Sequence, residues 1–301
     1  MNVLSLFDGM SCGQIALDQL GIEVENYFAA EIDKYAIKVS QQNFPGTIHL
    51  GDVRDIKGTD LPEIDLLIGG SPCQGFSFAG RNLNFDDPRS QLFFEYVRLL
   101  KELKPKYFLL ENVRMKKESM DVISEYLGVE PIAINSNLVS AQNRHRLYWT
   151  NIPMDGLPQD KGVVLKDILE DGITDRDKSH CIDANYFKGG NLKSYFEKHR
   201  RQLVFPQILQ TARGYNKGGL KAKDGKTPTL STSSWQHNNH LTYDEGLTYR
   251  KLTPTECERL QTVPEGYTNH VSNTQRYKML GNGWTVDVIK HIFKQLQVET
   301  V

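Results

Sequence analysis

The 301-residue sequence predicts an α/β protein: a doubly wound, mostly parallel sheet of seven strands with a smaller region of different character attached. Three observations carry this. Short apolar runs alternate with helix-period segments through residues 1–150. Several of those runs end in glycine, aspartate or glutamate, at the strand edge where reacting groups collect in open α/β folds. Beyond residue 155 the alternation stops, and polar, glycine-rich sequence continues to about residue 250.

In order, Val3–Leu6 reads as the first strand, and Gly13–Leu20 as a helix with Ile15, Ala16 and Leu20 on one side. Tyr27–Ala30 is the second strand, Tyr35–Asn43 a helix and Thr47–Leu50 the third strand. Asp65–Ile68 is a buried strand ending in Gly69-Gly70, and Leu92–Leu103 a strongly amphipathic helix. Tyr107–Leu110 leads into Glu111-Asn112-Val113, and Ile132–Leu138 and Leu147–Thr150 complete the seven. After the irregular region, Thr253-Pro254-Thr255-Glu256 has the pattern of a capped helix start, with Pro254 in the first turn and Glu256 three residues after the cap. Gly281-Asn282-Gly283-Trp284 precedes a last amphipathic helix, Val286–Leu296. The expected organisation is a catalytic and cofactor-binding unit over 1–154, a small recognition unit over 155–248, and a segment over 249–301 that returns to the first unit.

Bulk properties narrow the class. Lys and Arg number 36 against 37 acids, so mean charge says nothing about partners. The four cysteines, at 12, 73, 181 and 257, form no CxxC pair and lie beside no histidine at ligand spacing. A disulfide framework or metal centre is therefore not expected, and a reducing compartment is. The N-terminus lacks a basic region, and no apolar run nears the roughly 20 residues that span a bilayer. The expectation is a cytoplasmic protein, monomeric and without a membrane.

Charge distribution says more than its mean. Between Tyr186 and Lys226 ten basic residues face two acids, a net +8, which leaves −9 for the remainder. The run is interleaved with Tyr186, Tyr195, Phe196 and Tyr215, and Trp235 follows, a composition suited to a polyanion. Ser231 to His240 is rich in groups that pair with base edges and phosphates. Arg213, Lys217, Trp235 and His237 are the candidate contacts.

Three strand ends outline a ligand site. The turn Phe7-Asp8-Gly9-Met10-Ser11-Cys12-Gly13 puts glycines where backbone approaches a ligand just before a helix. Glu31 follows the second strand at the spacing of an acid that accepts from ribose hydroxyls. Asp52, followed by Val53, is placed to accept from an exocyclic amine. Neither GxGxxG nor a phosphate loop occurs, so a nucleoside without a pyrophosphate is favoured over a dinucleotide. Pro72-Cys73, on the loop leaving the fourth strand, places a thiol at the same edge.

At this point the pattern resembles the DNA (cytosine-5) methyltransferases. Seven motifs stand in that family's order. They are Phe7-Asp8-Gly9, Ser71-Pro72-Cys73-Gln74, Arg89 to Glu95, Glu111-Asn112-Val113 and Gln142-Asn143-Arg144-His145-Arg146. Arg250 to Pro264 and Gly281 to Val286 complete the series. Only about residues 155–248 fall outside, where the family varies its target choice. Ser71 and Gly283-Trp284 depart from the common bacterial pattern and are similar to the mammalian de novo enzymes. Thr227 to Leu230 and Gln236 to His240 look like small phage-type members.

The resemblance implies an S-adenosylmethionine-dependent methyltransferase fold, S-adenosyl-L-methionine as cofactor and double-stranded DNA as partner. It implies that Cys73 attacks C6 of cytosine, since C5 alone is a poor nucleophile. Glu111 would hold N3 and the 4-amino group, while Arg144 and Arg146, read as alternate positions on one strand face, would supply positive potential and a donor to O2. Phe7, Asp8, Gly9, Met10, Ser11, Cys12, Glu31, Asp52, Val53, Asn282, Gly283 and Trp284 would surround the cofactor. A stacked base cannot reach a pocket thiol, so the cytosine must flip out. The loop 79–87 would close over it, with Arg81 and Asn82 at the vacated stack or the phosphates. Two other readings stay open: a silent DNA-binding regulator, which would have no use for Cys73, Glu111, Arg144 and Arg146 together, and an RNA methyltransferase.

Overall fold

The computed structural model describes residues 1–71, 88–205, 208–210, 219–220, 240–241 and 249–296. Cys73, Arg81, Asn82, Arg213, Lys217, Trp235 and His237 lie outside the described residues.

Seven strands form the central sheet: β1 (Asn2–Leu6), β2 (Asn26–Ala30), β3 (Ile48–Gly51), β4 (Leu66–Gly69), β5 (Tyr107–Val113), β6 (Ile132–Asn135) and β7 (His145–Thr150). Their spatial order is β3-β2-β1-β4-β5-β7-β6. Strands β1 to β5 pair in parallel, and β7 runs antiparallel to both neighbours. The chain leaves β1 toward β2 on one side, and β4 lies on the other. A crevice therefore opens at their carboxyl ends, the switch point where open α/β sheets bind ligands. Because β7 is reversed, its first residues arrive at that same edge.

Side-chain alternation clothes the sheet on both faces. Val3, Leu66, Ile68, Leu109 and Tyr148 belong to one apolar cluster, and Leu4, Leu6, Leu67, Leu110 and Trp149 to the other. The first face is covered by α1 (Cys12–Gln19) and α2 (Lys34–Asn43), the second by α3 (Pro88–Leu103) and α4 (Lys117–Leu127). Two short helices, α5 (Leu165–Ile168) and α6 (Leu192–Lys198), follow. Small antiparallel pairings then join β8 (Leu203–Val204) to β12 (Arg250–Lys251), and β9 (Ile208–Gln210) to β10 (Gly219–Leu220) and β11 (His240–Leu241).

Three helices close the chain: α7 (Pro254–Leu260), α8 (Asn273–Asn282) and α9 (Val286–Phe293). Thr253 caps α7 as its sequence suggests, accepting from Glu256 N while the Glu256 carboxylate accepts from Thr253 N. Helix α9 buries Val286, Val288, Ile289, Ile292 and Phe293 in the cluster that includes α1. At about 2 kcal/mol per fully buried large apolar side chain, this face dominates the anchoring of the last helix, and Lys161 paired with Asp287 and His291 bonded to Gly156 O add contacts on its polar side.

Several boundaries differ from the sequence reading. Strand β5 continues through Glu111 to Val113 because β7 pairs with it as far as Arg146 opposite Val113. Strand β6 stops at Asn135, whose side chain accepts from the backbone N–H groups of Asn137 and Arg144 and so turns the chain into a 3-10 turn over Ser136–Leu138. Helix α3 starts at Pro88, four residues before the expected Leu92, and α9 ends at Phe293, short of Leu296. Helices α4 and α8 were not anticipated. For α4 a signal existed: Met120, Ile123 and Leu127 share one face, and Gly128 ends the helix at φ 71°.

Candidate active site and cofactor cavity

A cavity of about 570 Å³ occupies the crevice at the carboxyl edge, within the size range of small-molecule sites. Its floor is the turn after β1. Phe7, Gly9 and Ser11 all have positive φ, 58°, 59° and 62°, so two non-glycine residues hold a left-handed backbone that costs energy and persists because its surroundings impose it. Those surroundings are identifiable. Asp8 N–H donates to Ala30 O, and Gly9 N–H donates to Glu31 Oε2 at 2.8 Å. The Asp8 carboxylate accepts from the hydroxyls of Tyr27 and Ser11. Burial lifts that carboxyl to about 6, against the hydrogen bonds from Ser11, Ser5 and Tyr27.

Glu31 is held as firmly. Its Oε1 accepts from the N–H groups of Ile32 and Asp33, both at 2.8 Å. Beside it Ile32 is 72% exposed, an apolar side chain left on the cavity rim. Asp52 caps its own 3-10 turn through Arg54 N and pairs with the Arg54 guanidinium, which holds the acid down at about 2. Across the opening, Lys278 of α8 reaches Asp33 at 2.9 Å.

The inner end of the cavity is built by β4, β5, β7 and the turn before α9. Glu111, 8% exposed, lies on the face of β5 shared with Leu109. Directly opposite is Tyr148, and the diagonal neighbour on that face is Arg146, whose Nε lies 2.9 Å from Glu111 Oε1. Asn112 points the other way, and its amide donates to Ser71 O and Oγ. The backbone that enters the Pro72-Cys73 loop is thereby tied to the end of β5. Trp284 lines the same end and donates Nε1–H to Glu111 Oε2 at 3.1 Å.

Arg144 behaves differently from Arg146. It precedes β7, so the strand alternation that was to align the two does not extend to it. Only 2% exposed, it donates from Nη1 to Ile182 O and Cys181 Sγ, and from Nη2 to Gly281 O and Gly283 O. These bonds stitch the start of the irregular region to the turn that carries Trp284. Both arginines border the cavity, but Glu111 pairs with Arg146.

The glycines of the last motif serve close packing. A Cβ on Gly283 would lie 2.7 Å from Met10 Cε and 3.3 Å from Cys12 Sγ. On Gly281 it would lie 2.2 Å from the carbonyl carbon of Asp183. Burial pushes the Cys12 thiol up to about 12, which makes it packing material and not a nucleophile. Tyr267 reaches in from the C-terminal segment to donate to Met10 O, and Asn43 donates to Tyr267 O.

The model of C-5 cytosine-specific DNA methylases matches residues 1–298. The chain belongs to that family. The type II methyltransferase M1.ScrFI of Lactococcus lactis subsp. cremoris is 31% identical over 98% of this chain and 77% of its own length. The orphan methyltransferase M.SPRI of Bacillus phage SPR is 27% identical, covering 98% of this chain and 97% of its own. Among solved structures, a methyltransferase from Entamoeba histolytica superposes with a TM-score of 0.71 over 99% of both chains at 17% identity, which establishes the shared methyltransferase fold.

Of the residues singled out from this methylase's sequence, Phe7, Asp8, Gly9, Met10, Cys12, Glu31, Asp52, Val53, Glu111, Arg144, Arg146, Asn282, Gly283 and Trp284 all border one cavity. Ser11 stands just behind, buried against Asp8 and Ser40. The sequence reading missed Ile32, Asp33 and Lys278, and named Gly70 and Asn112 only as members of motifs, without a role at the site. A signal for two of these was present, since Ile32 and Asp33 directly follow the acid that was recognised. Among the described residues no helix is long and apolar enough to cross a membrane, and no group of three or more His, Cys, Asp or Glu gathers to hold a metal.

The lining residues suit an adenosyl ligand that bears a cationic centre. Phe7, Ile32, Val53 and Leu92 offer apolar surface for a base, Glu31 offers a carboxylate for vicinal hydroxyls, and Asp8 and Glu111 add acidic groups deeper in.

Proposed function

We propose that this methylase flips a cytosine out of a specific duplex DNA sequence and methylates its C5 through a covalent bond between Cys73 and C6. The observation that carries the reading is convergence. Glu111 and Arg146, paired at 2.9 Å, share one cavity with the turn after β1, and Ser71, one residue before Pro72-Cys73, enters that cavity from β4.

Phe7, Glu31, Ile32, Val53 and Trp284 would hold S-adenosylmethionine, which would supply the electrophilic methyl group. Glu111 accepts from the 4-amino group of cytosine and holds a proton toward N3, so that charge developing on attack is neutralised where it appears. Arg146 holds Glu111 and presents its remaining N–H groups to the base. Asn112 fixes Ser71, and Pro72 stiffens the backbone that aims Cys73 at C6. The Cys73 thiolate adds to C6, opening C5=C6 and making C5 the nucleophile toward the methyl group. Once C5 is methylated its proton passes to a solvent-borne base, and the electron pair restores C5=C6 and expels Cys73 as thiolate. The net +8 between Tyr186 and Lys226 supports duplex DNA as the polyanion.

Cys73→Ser should abolish transfer of tritiated methyl groups into duplex DNA while S-adenosylhomocysteine still binds. DNA containing 5-fluorocytosine should trap an adduct that maps to Cys73. Full activity in the serine variant, or an active enzyme that traps nothing, overturns the mechanism. Label entering RNA in preference to duplex DNA overturns the substrate. Bisulfite sequencing of DNA from cells expressing the protein reads out the target sequence.

A further inference from the structure

The carboxylate of Glu111 is gripped from two sides. Arg146 Nε lies 2.9 Å from Oε1, and Trp284 Nε1–H donates to Oε2 at 3.1 Å. The terminal torsion of a glutamate is broad and roughly two-fold, so a single donor leaves the carboxylate free to rock. Two donors on separate elements fix its plane. The indole N–H is donor only, so it enforces an acceptor role on Oε2 whatever the protonation of the site.

Trp284 is itself a fixed post. On one side of it Gly283 O accepts from Arg144 Nη2 and Gln261 Nε2. On the other, Thr285 Oγ1 donates to Gln261 Oε1 and bonds Ser136 Oγ. Gly70 completes the arrangement by having no side chain. A Cβ there would lie 3.1 Å from Trp284 Nε1 and 3.2 Å from Glu111 Oε2, against the very pair that makes the bond.

We infer that Trp284 is a positioning residue for the methyl-transfer reaction, setting the plane of the Glu111 carboxylate that meets the flipped cytosine. This rests on the assignment of Glu111 to the base. Its ring borders the cofactor cavity, so one side chain sets the geometry of both halves of the site.

Trp284→Phe keeps an aromatic face and deletes the donor. A hydrogen bond to a charged group of this kind is worth about a ten- to hundred-fold change. The single-turnover rate of methyl transfer at saturating S-adenosylmethionine should fall by that factor beyond any change in the Kd for S-adenosylhomocysteine, with the KM for DNA within about two-fold of wild type. Gly70→Ala, which leaves both bonding groups in place and crowds them, should reproduce the loss of rate. In solution, the indole N–H resonance that disappears in Trp284→Phe should move in Glu111→Gln, a readout independent of activity and of how well the phenylalanine variant folds. An unchanged rate, a rate that falls only in step with S-adenosylhomocysteine affinity, or a resonance that ignores Glu111 overturns the inference. If Glu111→Gln keeps full activity while the resonance still moves, the contact stands and the assignment of Glu111 to the base is what fails.

Discussion

Replacing Arg144 by methionine separates the roles of two arginines that the sequence makes look equivalent. The guanidinium of Arg144 is 2% exposed and spends its Nη donors on three backbone carbonyls and one thiol, with no carboxylate within ion-pair distance among the described residues. In the methionine variant Gly283 O keeps Gln261 Nε2 and Ile182 O keeps the Cys181 thiol, whereas Gly281 O loses the donor that reaches it. Charge-assisted bonds are worth about 1.5–3 kcal/mol each, and part of that is offset because a buried cation no longer has to be desolvated. The net cost is about 2–4 kcal/mol, or roughly 1 M in the urea midpoint. Arg146→Met should do the reverse. It leaves those carbonyls bonded and strips Glu111 of its ion pair, so the rate of methyl transfer should fall about a hundred-fold or more with a small shift in stability. Urea unfolding and single-turnover kinetics on both variants make the comparison. An Arg144→Met protein as stable as wild type, yet as slow as Arg146→Met, would refute the structural role and return Arg144 to the base.

Other consequences can be measured separately. Gly281→Ala places a Cβ 2.3 Å from Asp183 O and 2.4 Å from Ala184 N, backbone that cannot swing aside. A loss of about 3 kcal/mol in denaturant unfolding is expected, and an unchanged midpoint would show that the packing is looser than described. Because burial raises the Asp8 carboxyl to about 6 from an ordinary 3.8, the folded state binds its proton more tightly than the unfolded chain. The stability this contributes is complete below about pH 4 and is lost as pH rises to about 6, by at most about 3 kcal/mol. Asp8→Asn should flatten that slope in Tm against pH, and an identical slope in the variant would assign the effect elsewhere. Iodoacetamide at pH 8 should leave Cys12 and Cys257 unlabelled in the native protein, since burial raises both thiols, while partly exposed Cys181 reacts. Mass-spectrometric mapping decides it.

What the sequence made legible was local or ordered along the chain. The cap at Thr253 was readable because its partner, Glu256, is three residues away. Glu31 was readable because an acid at the end of a second strand has one geometry relative to the first turn. For Arg144 the strand alternation is not what aligns it with Arg146, since β7 begins at His145, after Asn135 has turned the chain, although both arginines border the cavity. Asp52 was placed at the right strand end, but Arg54, two residues on, occupies its carboxylate. Trp284 is assigned to the cofactor by resemblance, and its bond to Glu111 could not be read locally because that residue is 173 positions away. Periodicity reports which way a side chain faces, and only the folded chain reports what it meets there.

The cavity is walled by both ends of the chain. Met10 packs against Gly283 and accepts from Tyr267, Asp33 holds Lys278, and Glu111 waits for Trp284. During synthesis all seven sheet strands emerge within the first 150 residues, yet the opposite wall arrives about a hundred residues later. A chain that stops before α8 has the sequence of all seven strands but lacks Gln275, Lys278, Met279 and Trp284, which line the cavity. It lacks the Trp284 donor to Glu111 and the Gly283 backbone that packs on Met10. The site is therefore complete only once α8 and Trp284 have joined the sheet that holds most of its named residues.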